Sequence, residues 1–137
     1  MPSGPAVLHV ALGNAPKPIS LSVVDRTGLV VAAAASNGNL PMNLREQADF
    51  DKNQALVRAG PDANSVTILW GSGTCAPNQA MLITPAGDGW MVQIDLGSAV
   101  GEVCDMMLIS LAVTITASVP LDATRIHASL DKPGAGA

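Results

Sequence analysis

Two cysteines, two histidines and one acidic loop are the parts of this chain whose residue types and spacing invite chemistry. Cys75 and Cys104 show no Cys-x-x-Cys pattern, so a redox dithiol is not on offer. A zinc site would need two further ligands, and the only histidines are His9 and His127. The two cysteines flank the same hairpin, Met81–Thr84 and Trp90–Leu96, which "PAGDG" closes. That placement favours a disulfide, with a pair of free structural thiols as the competing reading. Closing a loop of this length contributes about 3–4 kcal/mol in the chain-entropy account. A disulfide also implies an oxidising compartment.

The remaining candidates are weaker. "GSGT" at 71–74 lacks both the G-x-S-x-G of a nucleophile elbow and the Lys of a phosphate loop, and reads as a turn. His9 and His127 fall on outward faces of the first and last strands, which can neighbour each other. Solvated surface histidines are the expectation. Cys104 is followed by Met106 and Met107, but the next histidine is His127, so blue-copper spacing fails. A Met/His copper-carrier site is a remote alternative. In "ADFDKNQ", Asp49, Asp51 and Asn53 alternate as oxygen ligands do at the start of a calcium loop. Gln54 and Gly60 stand where an EF-hand requires Gly and Glu, which leaves a looser calcium site or a solvated acidic turn beside Arg45 and Lys52. No other cofactor is expected. The same loop carries Leu40, Met42, Leu44, Arg45 and Phe50. Either its apolar side chains fold back over one end of the scaffold, or they form a contact site for a partner.

The elements that must position these groups are strands. In "MLISLAVTITASV" every second residue from Met107 to Val119 is apolar, and Ser110, Thr114, Thr116 and Ser118 lie between them. Alternate side chains of a strand point to opposite faces, so this segment has one dry face and one wet one. Its length predicts a bulge, a bend or an early loop section. "AVLHVAL", "PISLSVVD", "SVTILW", "WMVQIDL" and "TRIHASL" alternate in the same way, although Leu69 in "SVTILW" breaks the polar face. Shorter candidates are 29–34 and 55–59. Turn signals separate them, among them "DRTG", "GPDAN", "PAGDG" and "PLDA". About nine strands at this spacing predict an all-β, antiparallel β-sandwich over 1–131 with a flexible tail at 132–137. Only "NLREQADFDKNQALV" has room for a short helix.

Composition narrows the class. Hydrophobic residues make up 48% of the chain, with Phe50, Trp70 and Trp90 its only aromatics, so the core must be aliphatic. Charged residues are 13%, about half the globular norm, which suits an exported β protein. A net charge of −4, unclustered cations and few stacking rings argue against nucleic acid. The longest apolar run, 106–119, is too short for a membrane-spanning helix, which needs about 20 residues. "MPSGPAV" has neither the basic nor the apolar region of a signal peptide, so either the protein is cytosolic or an export signal stands ahead of Met1.

A strand ending in Trp70, a glycine turn, Cys75, a hairpin and then Cys104 is similar to immunoglobulin-like domains exported by bacteria. The resemblance implies an immunoglobulin-like architecture and no particular function. The sequence therefore predicts an extracytoplasmic, non-enzymatic interaction module that meets a protein partner through its loops. The alternative is an assembly subunit that self-associates through sheet edges or faces.

Overall fold

The structure is a computed structural model and describes residues 6–12, 19–36, 55–73, 78–95 and 108–131. Nine strands run through these residues: β1 (Ala6–Leu12), β2 (Ile19–Asp25), β3 (Val30–Ser36), β4 (Leu56–Ala59), β5 (Ser65–Gly73), β6 (Asn78–Ala86), β7 (Gly89–Asp95), β8 (Leu108–Ala117) and β9 (Ile126–Asp131). A single 3-10 turn, Ala123–Arg125, precedes β9. β2, β6 and β7 show two-residue periodicity in their burial, because alternation lets a sheet bury one face and wet the other, whereas β3 and β4 do not.

Two sheets result, a five-stranded one in the order β1-β2-β6-β7-β9 and a four-stranded one in the order β3-β8-β5-β4. Their facing sides form one aliphatic core. It holds Leu21, Val23, Met81, Ile83, Val92 and Ile94 from the larger sheet, with Val66, Ile68, Trp70, Val113 and Ile115 from the smaller. Fully burying one such aliphatic side chain contributes about 1.5–3 kcal/mol, so this layer dominates the stability of the fold.

The sandwich is not purely antiparallel. The four-stranded sheet is antiparallel throughout, but β2 pairs with β6 and β7 pairs with β9 in parallel. Closely spaced turns speak only for sequential neighbours, such as the hairpins β1–β2, β4–β5 and β6–β7. The parallel pairs join strands whose connections pass through the opposite sheet. The irregularity expected in the long strand is also elsewhere. β8 runs in unbroken register with β5 from Leu108 to Thr116, and the shift falls in β3, between Val30 and Ala32. Among the described residues no helix is long and apolar enough to cross a membrane.

Candidate functional site

One end of the sandwich gathers three connections into an open cleft. The first is the turn after β2. Buried Asp25 accepts hydrogen bonds from Thr27 N (2.8 Å), Thr27 Oγ1 (2.6 Å) and Val30 N (3.1 Å). Thr27 Oγ1 in turn accepts from Leu29 N at 3.0 Å, and Gly28 takes φ 76°. A short carboxylate chain thus fixes the bend that carries Leu29 to the cleft.

The second connection is the two-residue turn between β6 and β7, where Gly87 adopts φ 55°. Gly89 follows, with the backbone carbonyl of Arg125 in the space a Cβ would occupy. The third is the passage from β8 to β9. Ser118 N donates to Leu29 O at 2.8 Å and Leu121 N to Ala63 O at 2.9 Å. Asp122 caps the 3-10 turn, accepting from Thr124 N at 2.9 Å and Thr124 Oγ1 at 2.6 Å. Those two bonds, side chain first, hold the Asp122 carboxyl below its ordinary value, and the nearby Arg125 adds to them.

The cleft has a volume of about 300 Å³ and is lined by Leu29, Asp88, Gly89, Trp90, Val119, Pro120, Leu121, Asp122, Arg125 and Ile126. Leu29, Trp90, Val119, Pro120, Leu121 and Ile126 supply the apolar part of this lining, and Val119 remains 38% exposed. At the rim, Arg125 lies between two carboxylates, with Nη1 4.0 Å from Asp88 Oδ2 and Nε 3.6 Å from Asp122 Oδ2. Both separations exceed hydrogen-bond length, so the guanidinium is steered rather than clamped. Chemically, this arrangement suits an apolar group against Val119 and its apolar neighbours in the lining while an acceptor meets Arg125.

The histidines lie elsewhere. His9 Nδ1 is 3.3 Å from Ser22 Oγ, its register partner on the open outer face of the larger sheet. His127 sits in β9, at the other edge of that sheet. The first and last strands share a sheet but are about 19 Å apart, four strand spacings, so the two histidines do not meet. Among the described residues no group of three or more His, Cys, Asp or Glu converges.

The residues singled out by sequence, namely Cys75 and Cys104, the loop residues Leu40, Met42, Leu44, Arg45 and Phe50, and the calcium candidates Asp49, Asp51 and Asn53, all lie outside the described residues. The cleft was not visible in the sequence. Its signals, "DRTG", "PAGDG" and "PLDA", read as three separate turns, and only the topology brings them together. No family model, no curated protein and no solved structure matches the chain.

Proposed function

We propose that the chain is a non-enzymatic interaction module of the cell envelope or extracellular space, joined by a Cys75–Cys104 disulfide, that grips a protein partner at its end cleft. The observation that carries this reading is the mixed lining of the cleft, where exposed Val119 shares an open hollow with Leu29, Leu121 and Arg125. Open apolar surface ringed by polar groups is the usual form of a contact site. An extended partner segment presenting one aliphatic side chain and a neighbouring carboxylate or carbonyl meets both features. The test is selection of displayed peptides on the immobilised protein. Peptides that lose at least tenfold in affinity for both Val119→Asp and Arg125→Ala support the cleft. Peptides that bind both variants as well as the parent overturn it.

A specific observation favours assembly as the second reading. β3 is an edge strand of Val, Ala and Ser alone, with Val31 60% exposed and none of the charges or prolines that usually guard an edge. The register shift at Val30–Ala32 is an irregularity of the kind that blunts an edge. Light scattering over a concentration series separates the readings. A discrete oligomer dissolved by Ala34→Lys supports assembly, and a monomer throughout removes it.

A further inference from the structure

The outer face of the five-stranded sheet is sparse in charge. Its strands contain no Lys, Arg or Glu, and of their carboxylates Asp25 is buried and Asp131 ends β9. Asp95 is exposed on this face, as are His9 and His127. The described strands place no layer over it, and Val7 remains 47% exposed. A chain of net charge −4 repels its own copies, and a face this poor in carboxylates opposes their approach weakly.

The pairing register makes the face complementary to itself. His9 pairs with Ser22, Ser22 with Ala80, and Ala80 with Asp95, so four adjacent strands set these residues on one row. The next row holds Val7, Val24, Leu82 and Gln93. A two-fold axis running along the strands between β2 and β6 exchanges the two ends of each row. It brings His9 against the partner's Asp95 at two places about 14 Å apart, three strand spacings. It also sets Val24 against the partner's Leu82, and Ser22 against the partner's Ala80. Those last two are small enough for the layers to approach to the ~10 Å of aligned sheet packing. His9 Nδ1 lies 3.3 Å from Ser22 Oγ. In the tautomer where that hydroxyl donates to Nδ1, Nε2 carries the proton and is free to donate to a carboxylate across the interface.

We propose that two copies of this chain pair face to face through the outer side of the five-stranded sheet, with His9 of each against the partner's Asp95. This goes beyond the cleft reading and uses a different surface from the β3 edge. The face measures about 19 Å across its five strands and about 20 Å along six residues. That footprint is about half the ~800 Å² per partner of a standard interface, so the pairing reverses on dilution.

Sedimentation equilibrium of the whole chain over a wide concentration series tests the proposal. The expected mass rises from one chain to two and no further. Ala80→Arg puts a guanidinium at the centre of the contact and weakens association about tenfold or more. His9→Glu opposes carboxylate to carboxylate and weakens it as well. Adding Asp95→Lys to His9→Glu restores association to within about threefold of the parent, because opposite charges then face each other again. Ala34→Lys, on β3, leaves the dimer intact. A monomer at every concentration overturns the proposal, and so does an open-ended series of oligomers. A dimer that survives Ala80→Arg, or one that dissociates with Ala34→Lys, overturns it too. A double variant no stronger than His9→Glu alone contradicts the pairing of His9 with the partner's Asp95.

Discussion

The indole Nε1 of Trp70 donates a hydrogen bond to Gln79 Oε1 at 3.0 Å, and both side chains are buried. Trp70 belongs to β5 of the smaller sheet and Gln79 to β6 of the larger, so this bond fastens the two layers together. An aromatic N–H in an aliphatic interior needs such a partner, because water is not there to supply one.

Gln79→Leu strands that donor, and the expected loss is about 1–3 kcal/mol in urea unfolding. Trp70→Phe removes the donor at the cost of a smaller ring. A double-mutant cycle then shows the double variant losing less than the two single losses added together. Strict additivity would mean that the bond contributes nothing.

Gly89 is predicted to be intolerant for a reason unrelated to backbone angle. A methyl at this position runs into the Arg125 carbonyl, which is backbone and cannot swing aside. Gly89→Ala must push the 3-10 turn and the start of β9 away from β7. Gly87→Ala meets open space and pays only for its φ of 55°, about 1 kcal/mol. Melting temperatures of the two variants should rank Gly89→Ala well below Gly87→Ala.

Asp25→Ala removes the acceptor for three donors of the β2–β3 turn. Losing a buried carboxylate with these partners costs about 2–3 kcal/mol. Because the same turn places Leu29 at the cleft, peptides selected on the parent protein should also bind this variant more weakly, even well below its melting temperature.

Asp122 sets a pH window. Its folded carboxyl titrates below the ordinary aspartate range, held down first by the Thr124 hydroxyl and then by the Thr124 amide. A depressed folded value means that the cap's contribution is fully present above the unfolded value. It is lost as pH falls through the folded one. The side chain is solvent-exposed, so the effect on overall stability is small. Carbon-detected titration should place the Asp122 midpoint below that of an exposed reference aspartate. Thr124→Ala should raise it, and an unmoved midpoint contradicts the cap.

The strand pattern was legible mainly because segments such as β1, β2, β7 and β9 alternate apolar and polar residues, and alternation is a local property. Pairing is not local. Nothing in "ISLSVVD" or "NQAMLITPA" announces that β2 and β6 run in parallel. Gln79 was equally hidden, since a polar residue beside Pro77 and Asn78 reads as part of a turn, while the structure gives it an inner-face position opposite Leu21. Leu69 was the informative exception. It broke the polar face of its strand in the sequence, and the structure shows that position buried on the outer side. The cleft escaped notice because its residues come from three distant turns, each ordinary by itself.

Amide-shift mapping with a selected peptide tests the central claim most directly. Contact at the end cleft predicts perturbations concentrated at Gly28–Leu29, Asp88–Trp90 and Val119–Ile126. Perturbations along β3, or across the outer face of the larger sheet around Val7, Val24 and Leu82, with the cleft signals unmoved, would contradict it.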